Sequence, residues 1–454
     1  MFKKILIANR GEIAVRIAQT CREMGIPTVA VCSTADRDAA VTRIADESVV
    51  IGPPAVRQSY LSEPAIIEAA LTHGADAIHP GYGFLSEDPY FAEICQNDGI
   101  TLIAPTAEVM RKIGDKSAAK TLMADAGIAV GAGSTRTIDS VVDAEMLAEK
   151  IGYPVIIKAV AGGGGRGMAV VRGPGELARL YRQTRTSAQA VFGDGRVYIE
   201  RYVEDARHIE IQILCDQYGN AVHLGERDCS VQRRHQKVIE ETPATDLSRE
   251  LIEEMGAQAV AGATSIGFVG AGTFEFLVDP EGGHSFMEIN GRIQVEHPVT
   301  EAVTGIDVVR EQIRIAAGLP LEFEQRDVRP RGAALECRII AEDADRGFLP
   351  TAGTLTEFRP PSGPFVRVDT HAYPGWRVTT DYDSLLAKVI VWGADREQAI
   401  ARADRALSEF RVEGAGMTTS IPFIREVLAD KRFRAGSYRT SLIDEILSER
   451  REAP

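Results

Sequence analysis

The chain of 454 residues has no long apolar run, no closely spaced cysteines, no excess of positive charge and no low-complexity tract, and each absence removes a class of function. Its six cysteines, Cys21, Cys32, Cys95, Cys215, Cys229 and Cys337, are scattered without a CxxC pair, so neither a disulfide framework nor a zinc site is indicated. A reducing cytoplasm fits best. A formal net charge of -14 argues against nonspecific nucleic-acid or anionic-membrane binding, although a local basic patch can still receive a phosphate substrate. The apolar N-terminal run breaks at Asn9, Arg10 and Glu12, and no later run approaches membrane-spanning length, so a mature, soluble protein is expected. Two nucleotide signatures are also missing. The first turn is not GxGxxG, and the glycines at 162–165 lead through Arg166-Gly167-Met168 into another strand rather than into Gly-Lys-Ser/Thr and a helix.

What remains is an ordinary globular composition, 44% hydrophobic and 26% charged, with enough length for two or three cores. Residues 5–8 form an apolar run, and Ile13, Ala14, Ile17, Ala18 and Cys21 follow at helical spacing before a second strand at 28–32. Strands at 48–51, 77–78 and 101–103 alternate with helices at 64–71 and 90–96, which predicts a doubly wound parallel sheet over about 110 residues. His79-Pro80-Gly81-Tyr82-Gly83 then reads either as a ligand loop or as a structural turn.

A helix is expected at 117–126, a strand carrying Lys158 at 154–160, and a glycine-dense hairpin loop before a short strand at 169–172. Such a loop either lets backbone amides approach phosphate oxygens or is merely a flexible turn, and the phosphate lid is preferred. Further on, a helix is predicted at 182–192, a strand at 198–203 with Glu200 at its centre, and a strand at 208–215 with His208, Glu210 and Gln212 on one parity. Arg227, Arg233, Arg234, His235 and Lys237 gather cationic donors that either surround an anion or form a solvated basic loop. After a helix at 248–263, strands at 271–278 and 285–290 are expected to form a hairpin that sets Glu275 beside Glu288, with Asn290 two residues on. That is the hard-oxygen set magnesium favours, and a salt-bridged core pair is the competing reading. If extension persists past Asn290, then Arg292, Gln294 and Glu296 share the parity of Glu288. From 332 the pattern is β-rich, with strands at 333–340, 353–358, 366–369 and 385–392, a helix at 396–409 and a closing helical segment.

ANRGEIAVRI (8–17), HPGYGFLSE (79–87), GDK (114–116), GGGGRGM (162–168), ERDCSVQRRHQKVIEE (226–241), FEF (274–276), QVEHPVTE (294–301), ECRI (336–339) and YDSLLAK (382–388) resemble, in one register over nearly the whole chain, the biotin carboxylases. That resemblance implies an α/β ATP-grasp enzyme with an N-terminal Rossmann-like domain (1–113), an ATP-grasp region (114–330) whose residues 130–203 form a small mobile lid, and a C-terminal α+β domain (331–447). ATP, bicarbonate and two magnesium or manganese ions would be used to carboxylate biotin. By the same resemblance Glu275, Glu288 and Asn290 form the metal set, and Lys237, Arg292, Gln294 and Val295 hold bicarbonate. Glu296 is then the base, and Arg338 binds biotin and stabilises its enolate. Lys116, Lys158, Gly163, Gly164, Gly165, Gly167, Glu200, Arg201, Val203, His208, Gln232, His235 and Leu277 would bind ATP.

No biotin-attachment sequence or carboxyltransferase region is recognised, so biotin is expected on a separate carrier protein, with carboxyltransferase subunits and a second copy of the chain as partners. The first half-reaction of an acetyl-CoA or acyl-CoA carboxylase is the leading expectation. A pyruvate or 2-oxoacid carboxylase subunit, or more distantly another ATP-grasp carboxylate-amine ligase, is the alternative. The chain departs from the family at Gly291, where Thr or Pro is usual, at Val160-Ala161, where Ser-Gly is common, and at Thr419, where Asn is common. Gly291 is expected to loosen the backbone beside the metal set.

Overall fold

Strands whose residues are apolar on both faces belong in the middle of a layered sheet, and the first third of the chain is built that way. In the computed structural model, which describes residues 1–134, 136–160 and 167–452, Ile5–Ile7 (β1), Thr28–Ser33 (β2), Glu47–Gly52 (β3), Ala77–His79 (β4) and Thr101–Leu102 (β5) pair in parallel in the order β3-β2-β1-β4-β5. Every residue of β1, β2 and β4 is buried. The helices Gly11–Glu23, Glu63–Thr72 and Pro89–Asn97 connect successive strands as the spacing predicts. Gly11 opens the first helix at φ +69°, a left-handed conformation that suits glycine. Beside it the Asn9 side chain donates to the carbonyls of Pro80 (2.6 Å) and Tyr82 (2.8 Å), which fixes the 79–83 loop at the carboxyl edge of the sheet. That loop is therefore a held turn, and it also reaches the cleft described below.

Val155–Ala159 (β6), Met168–Val171 (β7) and Val197–Arg201 (β8) make a separate antiparallel sheet, β7-β6-β8, with its own core around Ile138, Ile157, Leu177 and Ile199. The helix expected at 182–192 begins earlier, spanning Pro174–Phe192, because Pro174 supplies a favourable first-turn residue after Gly173.

The largest sheet has eight strands. Arg207–Cys215 (β9), Ala221–Arg233 (β10), Gln236–Thr242 (β11), Gly270–Val278 (β12), His284–Asn290 (β13) and Ala333–Ile340 (β14) join strands Leu385–Gly393 and Val366–Thr370 in the order β13-β12-β9-β10-β11-β14, then 385–393, then 366–370. Hydrogen bonding is thus continuous across residue 330 through the β11–β14 ladder. One face of β9 and β12, with Ile209, Ile211, Phe274 and Phe276, packs under helix Arg249–Ser265. The opposite parity, His208, Glu210, Gln212 and Glu275, is polar and also buried, so this face serves the site.

Two local expectations are corrected. The cationic stretch at 227–241 is not a loop: most of it lies in the β10–β11 hairpin, which turns at Arg234 and His235 with φ of +48° and +64°. Extension also stops at Asn290. Residues 291–296 are irregular and lead into helix His297–Thr304, with Glu296 at its N-cap position and Pro298 in its first turn.

Candidate active site

The polar face of the eight-stranded sheet, the three-stranded sheet and the 79–83 loop enclose a cleft of about 980 Å³. Glu275 and Glu288 stand directly opposite each other on β12 and β13. Asn290 donates from its amide nitrogen to Glu275 at 2.8 Å, and Gln294 does so at 3.3 Å. The sequence showed no lysine on either strand, yet cations arrive from elsewhere. Lys116 reaches Glu288, and Lys237 lies 3.5 Å from Glu275, whose other oxygen bonds His208 at 3.0 Å. Burial would push the Glu275 carboxyl up, but Lys237 and His208 hold it well below the usual carboxylate range.

These residues fit a magnesium-nucleotide group. Two carboxylates and an amide oxygen line the same cleft wall, and ammonium groups already occupy the positions of positive charge beside both carboxylates. Among the described residues, side chains with metal-ligating atoms cluster differently, however: His208, Glu210 and Glu275 in one group, and Glu210, Cys229 and Glu296 in the other. Arg227, fully buried, donates to Glu210 at 3.0 and 3.2 Å and to Gln212, Thr273 and Thr300, so it belongs to the sheet and is not an anion ligand. Lys237 completes that charge balance by bonding Glu210 and, at 2.6 Å, Glu296.

Beyond Asn290 the chain bends, but the side chains expected on one parity still converge. Arg292 donates to Asn290 (3.1 Å) and Gln294 (2.9 Å), and its guanidinium is held by Glu87 at 2.7 Å. The same Glu87 accepts the Gly291 N–H at 3.0 Å. Gly291 is accordingly not loose. A Cβ there would stand 2.6 Å from the Ile113 Cδ1, so the glycine is packed against that side chain. Arg338, on β14, donates to Glu240 (2.6 Å) and to Glu296 (2.9 Å). Burial would raise the Glu296 carboxyl, but Lys237 and Arg338 together hold it well below its ordinary range. The Val295 carbonyl is fixed from behind by the fully buried Lys388, 2.7 Å away and itself paired with Glu12.

At the other end of the cleft lie Lys158 and Glu200 on the three-stranded sheet, with Arg201 and Val203 following. His208, Gln232, His235 and Leu277 complete the lining there. Glu200 is held at about 2 despite burial, because Lys158 and Lys120 both bond it. Gly167 ends the glycine loop, and its backbone oxygen accepts the Ala159 N–H. Gly163, Gly164 and Gly165 lie outside the described residues.

Sequence reasoning missed Lys120, Glu87, Glu240 and Lys388. Lys120 carried a signal, since it sits four residues after Lys116 and so shares a helical face with it. Glu87 and Glu240 lay inside recognised motifs, but their partners are 205 and 98 residues away, and no spacing rule reports that.

Among the described residues no helix is long and apolar enough to cross a membrane. Family descriptions match in three parts: "Biotin carboxylase, N-terminal domain" over residues 1–110, "Carbamoyl-phosphate synthase L chain, ATP binding domain" over 115–324 and "Biotin carboxylase C-terminal domain" over 336–445. A biotin carboxylase of Nostoc sp. is 53% identical over 98% of this chain and 99% of its own. One subunit of the pyruvate carboxylase of Methanothermobacter thermautotrophicus is 50% identical over 98% and 90%. The biotin carboxylase domain dimer of Hydrogenobacter thermophilus 2-oxoglutarate carboxylase, solved with MgADP, ADP and bicarbonate, superposes with a TM-score of 0.95 at 45% identity, covering 98% of both chains.

Proposed function

The chain belongs to the biotin carboxylase family, ATP-grasp ligases that use ATP to carboxylate biotin, and from that premise we propose how its cleft divides the work. The observation that carries the proposal is Glu296, a buried carboxylate clamped between Lys237 and Arg338 at the junction of the two ends of the cleft. Bicarbonate binds against Arg292, Lys237, Gln294 and the Val295 backbone, and takes over part of the cationic hold on Glu296. The freed carboxylate then removes the bicarbonate proton. A bicarbonate oxygen attacks the γ-phosphorus, the bond to the ADP oxygen breaks, and the resulting carboxyphosphate separates into carbon dioxide and phosphate. That phosphate accepts the N1 proton of biotin, Arg338 faces the enolate oxygen, and N1 bonds to carbon dioxide. One well-aimed donor to such a developing charge is worth ~3 to 4 kcal/mol.

Glu275 and Glu288, with Asn290 beside them, would hold magnesium, which supplies charge neutralisation for the triphosphate. Lys116 and Lys158 take its phosphates, His208 and Gln232 the ribose side, Glu200, Arg201, Val203 and Leu277 the adenine side, and His235 the phosphate end. The segments 1–113, 114–330 with its lid at 130–203, and 331–447 act as the three working regions.

The biotin is carried by a separate protein and the carboxyl group passes to carboxyltransferase subunits, with an acyl-CoA as the acceptor. A second reading, a 2-oxo acid acceptor, is supported by likeness to one part of a pyruvate carboxylase and to a 2-oxoglutarate carboxylase domain. The working unit is a homodimer, as in the Hydrogenobacter structure. Six buried, unpaired cysteines suit the reducing cytoplasm. Purified protein is expected to hydrolyse ATP only with bicarbonate, and faster with free biotin. Stimulation by an amine substrate with none by biotin would overturn the proposal, and the carrier and transferase that co-purify from the native source distinguish the two acceptors.

A further inference from the structure

Lys120 stands outside every role assigned above. It follows Lys116 by one turn of helix Lys116–Asp125, so both ammonium groups leave the same helical face, yet they go to different sheets. Lys116 bonds Glu288 on β13, and Lys120 bonds Glu200 on β8. The second oxygen of Glu200 takes Lys158 at 2.8 Å. Two lysines therefore share one carboxylate, with side-chain exposures of only 13% for Lys120, 15% for Lys158 and 8% for Glu200.

One lysine is enough to neutralise Glu200. A second must be desolvated and held near a like charge, which is unfavourable unless something offsets it. Burial pushes the Lys120 ammonium below its ordinary range against the pull of Glu200, and repulsion from Lys158 and Lys116 adds to the effect. A surplus cation becomes useful if one of the pair is required to leave. Lys158 lines the cleft, whereas Lys120, which reaches Glu200 from helix Lys116–Asp125, is not part of the cleft lining.

We propose that Lys120 is a positioning residue for nucleotide binding, the counter-ion that keeps Glu200 in place when Lys158 turns from that carboxylate to the phosphates of a nucleoside di- or triphosphate. This rests on the nucleotide reading of Lys158 given under Proposed function. Without Lys120, Glu200 holds Lys158 in a one-to-one pair, and every phosphate-bearing ligand must break that pair unaided. Adenosine, which needs no phosphate contact, meets no such penalty. A charge-assisted hydrogen bond of ordinary strength then sets the expected effect at roughly ten-fold.

The test uses the full chain as wild type, Lys120→Met and Lys120→Arg, with ADP titrated calorimetrically, adenosine measured as an inhibitor, and KM for ATP and for bicarbonate from steady-state phosphate release. Lys120→Met is expected to weaken ADP binding and raise KM for ATP about ten-fold, with adenosine inhibition and KM for bicarbonate within about two-fold of wild type, and Lys120→Arg to recover most of the loss. Unchanged ADP affinity in Lys120→Met overturns the proposal. So does an equal loss for ADP and adenosine, or a loss that Arg does not rescue, either of which marks Lys120 as part of the wall alone. Wild-type protein that binds neither ADP nor ATP overturns the nucleotide reading itself, whatever the variants do.

Discussion

Replacing Glu296 by Gln removes a charge and leaves the shape, and the surroundings of this residue make the outcome calculable. Its carboxylate is 1% exposed and bonds Lys237 at 2.6 Å and Arg338 at 2.9 Å. Neither cation is stranded by the change, because Lys237 keeps Glu210 and Glu275, and Arg338 keeps Glu240. The variant should therefore fold and bind ADP as wild type does. Loss of a general base costs ~10² to 10⁴ in turnover, so bicarbonate-dependent ATP hydrolysis with free biotin should fall by at least about a hundred-fold. The pH profile adds a sharper check. A base works when deprotonated, so activity is lost as pH falls through its pKa, and kcat/KM reports that value for the free enzyme. Lys237 and Arg338 hold Glu296 well below the ordinary carboxylate range. At constant bicarbonate ion concentration, wild-type kcat/KM for bicarbonate should then show no acid limb from this residue between about pH 8 and 5. Turnover of Glu296→Gln within about three-fold of wild type, or an acid limb near neutrality that this variant abolishes, would refute the reasoning.

Three other perturbations follow from the same geometry. Glu336 is fully buried, both its carboxylate oxygens lack a partner among the described residues, and burial with Glu240 and Glu296 nearby pushes it well above its ordinary value. An acid raised in the folded state contributes stability below its unfolded pKa and loses it as pH rises, so Glu336→Gln should raise the melting temperature more at pH 8 than at pH 5; a uniform shift would sink this account. Gly291→Thr places a Cβ 2.6 Å from the Ile113 Cδ1 and should destabilise by ~1 to 3 kcal/mol in denaturant melts. Ile113→Val removes that methyl and should recover most of the loss, and no recovery would mean that the clash is not the cause. Glu87→Gln weakens the 2.7 Å hold on Arg292 and should raise KM for bicarbonate several-fold with KM for ATP unchanged; a rise in both would assign Glu87 to domain packing alone.

The sequence made the elements of this site legible and its electrostatics only in part, for a physical reason. Alternation in HIEIQILC set His208, Glu210 and Gln212 on one face, and the turn at 279–283 put Glu275 opposite Glu288. Both are local regularities. The partners of those charges are not local: Lys116 lies 172 residues from Glu288, and Arg338 lies 98 from Glu240. Arg227 shows what composition without topology leaves out. It stood among five cationic residues as a candidate anion donor, but β9 and β10 are adjacent, so it faces Glu210 across the ladder and never reaches the cleft. Gly291 misled in the opposite way. Glycine permits freedom in an isolated chain, but here Ile113 fills the space that a side chain would occupy.

Five of the cations facing the cleft share one condition: each is already paired with a carboxylate. Lys116 has Glu288, Lys158 has Glu200, Lys237 has Glu210, Glu275 and Glu296, Arg292 has Glu87, and Arg338 has Glu240 and Glu296. A protein with a formal net charge of -14 gains no long-range attraction for anionic substrates from its bulk charge, so its local cations must do the binding. Pairing them in advance avoids leaving buried charges uncompensated while the cleft is empty. It also makes binding an exchange, in which phosphate or bicarbonate must displace a carboxylate from its cation. That exchange lowers affinity for any single anion, but it changes the carboxylates released. On the proposed assignment of Glu296 as the base, it is a poor one while Lys237 and Arg338 hold it, and becomes a better one only as an anion takes over part of that hold. On that assignment, the pairing that protects the empty site would also delay proton abstraction until the substrate to be deprotonated is present.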